Sequence, residues 1–239
     1  MPAQSIHAFA EKVALITDGE NPVGRAVALQ LALQGAYVIV GFANSSEENR
    51  RAISELQNLG TLASAIETDI SSLEGAKKLV AETDAMFGRI DLLVNCLKFS
   101  NDSAFEETGE DVFDSALNKN LKAAFFVTKE ALRLMKTRPK PKIVNIVSAL
   151  DTPETEKNVL LAASQKSLVG FTESLAKSLP KNFRVNAVAV SEKRGKNEDL
   201  DAELFRPKAG VAEDDVARVI LFLLSSESVG LNGQTLRVE

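Results

Sequence analysis

The 239 residues, 45% apolar and 26% charged with a net charge of −5, suit one α/β domain with a sizeable core, inside the ~200–250 residues that such domains reach. The acidic balance, with no basic run longer than Lys193-Arg194, argues against nucleic acid or an anionic membrane as the main partner, and no apolar run reaches the ~18 residues of a membrane span. A single cysteine, Cys96, excludes an internal disulfide and a cysteine-rich metal site; with no signal-like segment in Met1 to Glu11, a cytoplasmic protein without a metal is expected.

Lys12 to Val40 reads as strand, tight loop, helix and second strand. Val13 to Ile16 and Tyr37 to Val40 are short apolar runs suited to strands buried on both faces. Val23, Val27 and Leu31 recur at helical spacing between them; Pro22 can open that helix and Gly35 follows its end. A parallel pair joined this way implies a doubly wound α/β sheet with helices on both faces, whose ligands sit at the carboxyl ends of the strands. Asp18 and Glu20 lie beside the helix N-terminus, and their carboxylates are expected to satisfy its free N–H groups.

Ser45 or Ser46 caps a helix running to about Leu59, and Leu62 to Glu67 is the third strand. Asp69-Ile70-Ser71 forms a turn before a helix from Leu73 to Phe87, which Gly88 stops; Asp91 to Cys96 is strand four, with Cys96 a small buried residue. Ser103 to Ala116 is polar and partly helical. A long helix over residues 118–136 follows, with Leu121, Phe125, Thr128 and Leu132 on one stripe and Ala124, Ala131 and Met135 beside it. Apolar on both sides, it is expected to face the sheet and a partner. Strand five runs from Lys142 to Val147. Leu161, Ser164, Leu168, Thr172 and Leu175 form the packed face of the next helix, followed by strand six at Arg184 to Val190, a helix from Glu213 to Leu224 and a last strand at 233–238.

Thr17-Asp18-Gly19-Glu20-Asn21-Pro22-Val23-Gly24 fits the spacing T-G-x-x-x-G-x-G, and by this loop and much of the remaining chain the sequence resembles the short-chain dehydrogenase/reductase superfamily. Its wording is most similar to that of the 3-oxoacyl-acyl-carrier-protein reductases. The resemblance implies a Rossmann-type sheet of seven mostly parallel strands in one domain spanning 1–239. It also implies a loop holding a dinucleotide pyrophosphate through backbone N–H groups, with Gly24 kept and Asp18 and Pro22 standing at the other two glycine positions. Asp69 matches the family's adenine-binding aspartate, Asn95 the first asparagine of N-N-A-G, Asn120 the proton-relay asparagine and Ser148 the catalytic serine. The Y-x-x-x-K register places Leu161 at the tyrosine and Gln165 at the lysine. Phe42 stands where an NAD enzyme carries its ribose-binding acid; Asn44, Ser45 and Ser46 with Arg50 or Arg51 suit an NADP 2′-phosphate better, or are a polar helix start. Lys98 replaces a family glycine.

Leu161 has no proton to give and Gln165 no charge to lower a neighbour's pKa. The sequence therefore reads as a family member without catalysis, a structural or regulatory subunit that binds no cofactor, or NADP if any. The alternative is an NADP-dependent reductase with a rebuilt site. Helices 118–136 and 164–179 are expected to pair in a homodimer or homotetramer, or with an active relative. Residues 191–207, rich in charge, are expected to be a solvated loop.

Overall fold

The computed structural model describes residues 8–44, 46–96, 104–148, 158–190 and 213–238. Lys98, Ser45 and the 191–207 segment lie outside them, as does the side chain of Ser148.

Seven strands form one parallel sheet in the order β3-β2-β1-β4-β5-β6-β7. They are β1 Val13–Ile16, β2 Tyr37–Phe42, β3 Ala63–Glu67, β4 Leu92–Cys96, β5 Lys142–Ser148, β6 Arg184–Val190 and β7 Thr235–Val238. The chain winds outward from β1 to β3, returns to place β4 on the other side of β1, then winds outward again. The switch point therefore opens between the carboxyl ends of β1 and β4, and the loop after β1 sits over it. Strand two runs two residues beyond the expected Val40, because Gly41 and Phe42 pair with Ile66 and Glu67.

Alternate residues of these strands face two helical layers. Ala14, Ile16, Val94 and Cys96 pack under α1 (Pro22–Leu33) and α7 (Glu213–Leu224). Val13, Leu15, Leu93 and Ile143 pack under α3 (Leu73–Phe87), α5 (Ala123–Met135) and α6 (Val159–Ser178). Every residue of β1 is buried, as a strand covered on both faces requires. Ser46 Oγ caps α2 (Glu47–Asn58), accepting from Asn49 N at 3.1 Å, and Gly88 ends α3 at φ 65°.

Residues 118–136 are not one α-helix. A short α4 (Glu110–Leu117) leads into a π-helical stretch at Asn118–Lys122, and only then does α5 begin. The wider turn carries Asn120 inward until it is fully buried against α6.

Beneath the sheet's amino edge, Asp91 is buried and accepts from Val13 N at 3.0 Å and Arg138 Nε at 2.8 Å, with Arg89 at 3.6 Å and Lys12 at 3.7 Å. Lys142, 6% exposed, donates to the carbonyls of Leu223 and Ser225 and to Ser228 Oγ, covering the negative end of α7.

Candidate functional site

The loop after β1 is held by its own side chains. Asp18 Oδ1 accepts from Glu20 N at 2.8 Å and Asn21 N at 3.3 Å. The helix N-terminus is capped by Asn21, not by the two carboxylates expected there: Asn21 Oδ1 accepts from Val23 N at 2.9 Å and Gly24 N at 3.5 Å. Asparagine in extended backbone immediately before Pro22 is the better cap, because its oxygen reaches the second and third helical N–H groups. Burial raises the Asp18 carboxyl above the ordinary carboxylate range, while the N–H bonds from Glu20 and Asn21 pull it back.

Gly24 belongs to this closed loop. A Cβ built on it would stand 2.2 Å from the Asp18 carbonyl oxygen and 3.4 Å from Cys96 Sγ, so no larger residue keeps this helix so near the strands. Cys96 is buried at the same junction, and burial together with the nearby Asp18 pushes its thiol well above the ordinary range. It is an unreactive core residue.

Beside the loop, the Phe42 ring lies against Gly19: a Cβ there would meet Phe42 Cε1 at 2.3 Å. Phe42 is 3% exposed, so the apolar ring fills the end of β2 and lies within the core. A second network closes the outer side. Glu20 Oε1 accepts from Asn44 Nδ2 at 3.1 Å and Asn49 Nδ2 at 3.2 Å; Arg25 donates to Gly19 O at 2.7 Å, Asn49 Oδ1 at 3.0 Å and Glu48 Oε1 at 2.6 Å. Asn44, expected as a phosphate ligand, thus bonds to Glu20, and Arg51 pairs with Glu47. Asp69 is exposed, and its Oδ1 accepts from Ser71 N and Ser71 Oγ at 3.0 and 2.7 Å, the geometry of a turn that precedes the Ser72 cap of α3.

The matched residues Asn95 on β4 and Asn120 in the π-helical stretch each belong to a buried hydrogen-bonded rung. Asn120 Nδ2 donates to Ser164 Oγ at 3.0 Å, and Ser164 Oγ donates to Leu161 O at 2.9 Å, with the Asn120 and Ser164 side chains fully buried. Two turns further on, Asn95 Nδ2 reaches Thr128 Oγ1 at 3.1 Å and Asn145 Oδ1 at 2.7 Å, and Asn145 Nδ2 reaches Thr172 Oγ1 at 2.8 Å. Asn95 and Asn145 are register partners across β4 and β5. Sequence reading missed Asn145, Thr128 and Thr172 as polar partners. Their signal was present as polar residues inside otherwise apolar strand and helix faces, which need mutual hydrogen bonds when buried. Leu161 is half-buried at the start of α6, its N–H capped by Asn158 Oδ1 at 2.8 Å, and Gln165 is fully buried.

The family model described as short chain dehydrogenase matches residues 12–193. The chain is 28% identical over 236 residues to the 3-oxoacyl-[acyl-carrier-protein] reductase FabG of Staphylococcus aureus strain Mu50, covering 95% of this chain and 96% of that one. It is 30% identical over 254 residues to the short chain dehydrogenase/reductase AacuN of Aspergillus aculeatus, covering 98% and 96%. Its fold is similar to that of a dehydrogenase/reductase from Sinorhizobium meliloti 1021, with a TM-score of 0.85, 26% identity and coverage of 98% and 96%. The chain belongs to the short-chain dehydrogenase family.

The residues at its switch point do not fit a dinucleotide in this arrangement. The N–H groups of Glu20 and Asn21 are bonded to Asp18, those of Val23 and Gly24 to Asn21 and that of Gly19 to Gly41 O; Pro22 has none, and Phe42 fills the space beside Gly19. No helix among the described residues is long and apolar enough to cross a membrane, and they contain no cluster of His, Cys, Asp and Glu that could hold a metal.

Proposed function

We propose that this chain is a catalytically silent member of its family that serves as a structural or regulatory subunit. The observation that carries this reading is the Asp18 carboxylate, seated on the N–H groups of Glu20 and Asn21 where a pyrophosphate would need them. Leu161 and Gln165, at the positions of the family's proton donor and its cation, support it, since neither can supply acid catalysis. Cytoplasmic residence accords with it.

Calorimetric titration with NADPH and NADH tests the reading. Each lost donor or added carboxylate costs about 1–3 kcal/mol, so two such losses carry a micromolar site towards millimolar. No heat of binding is expected at micromolar ligand; a micromolar NADPH site overturns the reading. That result would favour the second reading, an NADP-dependent oxidoreductase of the 3-oxoacyl-acyl-carrier-protein reductase type with a non-standard site, for which the nearly full-length similarity to the Staphylococcus aureus reductase speaks.

A subunit role needs a contact face. Residues 118–136 and 164–179 present one: Phe125 is 44% exposed, its ring lies 5.7 Å from that of Phe171, and with Leu117, Leu121 and Gly170 they line an apolar groove of about 520 Å³. A homodimer or homotetramer through these helices is the proposed assembly, and a hetero-oligomer with an active relative its regulatory form.

A further inference from the structure

The amino edge of the sheet gathers cations in a row, although the chain as a whole carries a net charge of −5. Lys12 precedes β1, Arg89 precedes β4, Arg138 and Lys140 precede β5, and Lys181 and Arg184 stand before and at the start of β6. These four strands are neighbours, paired at Ala14 with Leu92, Leu92 with Lys142, and Lys142 with Arg184. The row is thus a product of topology, which brings residues far apart in sequence onto one edge of about 14 Å at ~4.8 Å per strand.

The local carboxylates do not balance it. Asp91 is buried beneath Lys12, Arg89 and Arg138, and Glu11 and Glu227 are exposed at the rim. Lys140 and Lys181 are exposed and make no ion pair among the described residues. Lys142 is buried beneath the row, and burial first, then Arg184 and Lys140, lowers its pKa to about 8. Helix ends account for Lys142, whose ammonium lies on the last carbonyls of α7, but not for Lys140 and Lys181, which have no such bond among the described residues.

We infer that this edge is a docking surface for a short acidic segment of a partner protein, held by Lys12, Arg89, Lys140 and Lys181 at the amino ends of β1, β4, β5 and β6. An extended segment advances ~3.3 Å per residue, so about five residues with carboxylates at alternate positions span the row. One feature favours a short polypeptide over nucleic acid or an anionic membrane: the row is a local island on a chain whose net charge is −5, and a polyanion larger than the row would extend into that negative field.

The test is fluorescence anisotropy of a labelled ten-residue peptide of alternating glutamate and serine, titrated with the full chain at about 20 mM salt, where exposed charges are weakly screened. Two variants carry the same change of charge: Lys140→Glu with Lys181→Glu in the row, and Lys77→Glu with Lys78→Glu on α3. Binding is expected to the natural chain, weakened roughly tenfold or more in the first variant and less than about twofold in the second. The neutral pair Lys140→Gln with Lys181→Gln gives the same reading if charge reversal upsets folding. No binding to the natural chain overturns the proposal, as does equal loss in both reversal variants. Tighter binding through Lys140 and Lys181 of a thymidine oligonucleotide, or of phosphatidylserine vesicles, also overturns it by giving the edge to another class of partner.

Discussion

Asn120 and Ser164, 44 residues apart, share a hydrogen bond of 3.0 Å that joins the π-helical turn ahead of α5 to the second turn of α6. Both residues are fully buried, and Asn120 Oδ1 has no hydrogen-bond partner among the described residues. The amide therefore depends on Ser164 for what satisfaction it has. Ser164→Ala is expected to destabilise the fold by about 1–3 kcal/mol, because it leaves a buried donor unpaired. Asn120→Ala should cost less on top of Ser164→Ala than alone, and a double-mutant cycle by urea unfolding reads the difference. Additive effects would mean that the bond contributes nothing.

Restoring the missing acid is expected to be insufficient. Leu161→Tyr with Gln165→Lys supplies a proton donor and a cation, yet the loop would still hold Asp18 on the N–H groups of Glu20 and Asn21. Oxidation of NADPH with a 3-oxoacyl thioester should appear only after Asp18→Gly and Pro22→Gly are added. Activity in the double variant alone would remove half of the support for a silent subunit.

The contact face gives a prediction about assembly. Phe125→Glu places a charge in the middle of the apolar groove of α5 and α6, and light scattering at tens of micromolar, the range of ordinary dimer affinities, should show the natural chain as an oligomer and the variant as a monomer. A monomeric natural chain would refute it.

Lys142 makes stability depend on alkaline pH. Its folded pKa of about 8 lies below the ordinary 10.5, so between these values the unfolded chain binds a proton that the folded chain does not. Unfolding free energy from this group therefore rises with pH across that window, by up to about 3 kcal/mol, and the charged side chain weighs against folding below it. Urea unfolding at stepped pH should show this rise in the natural chain and its loss in Lys142→Met; parallel profiles would contradict it.

Glu11 is the non-glycine residue with a positive φ among the described residues, at 61°, and it is exposed. L-residues lose about 1–2 kcal/mol in that region, an amount glycine avoids while adding some entropy to the unfolded chain. Glu11→Gly is expected to raise stability by roughly 0.5–1 kcal/mol, read as a higher melting temperature.

The central strands were legible in the sequence because they are buried on both faces and show as largely apolar runs: Arg184–Val190 stands where the pattern put it, as does the helix Glu213–Leu224. Legibility ended where one residue type serves several geometries. Asn21 looked like a loop residue following two carboxylates, and only the backbone turn reveals it as the cap. The π-turn at Asn118–Lys122 leaves no mark, since the apolar period on either side is helical. At the site, Phe42 was visible as the absence of an acid, but that its ring would lie on Gly19 depends on β2 running two residues longer than its apolar run.

The Asp18 and Asn21 oxygens that occupy the loop are covalent parts of the chain, and this alters its thermodynamic bookkeeping. A protein whose native state is completed by a dissociable ligand gains stability as RT ln(1 + [L]/Kd), about 2.7 kcal/mol at a hundredfold excess over Kd, and loses it when the ligand is scarce. Here the acceptors are present at fixed, intramolecular concentration and cannot be diluted away. On the function proposed, the melting temperature of this chain is independent of nucleotide supply, and the subunit keeps its shape through metabolic states that would loosen a cofactor-dependent relative.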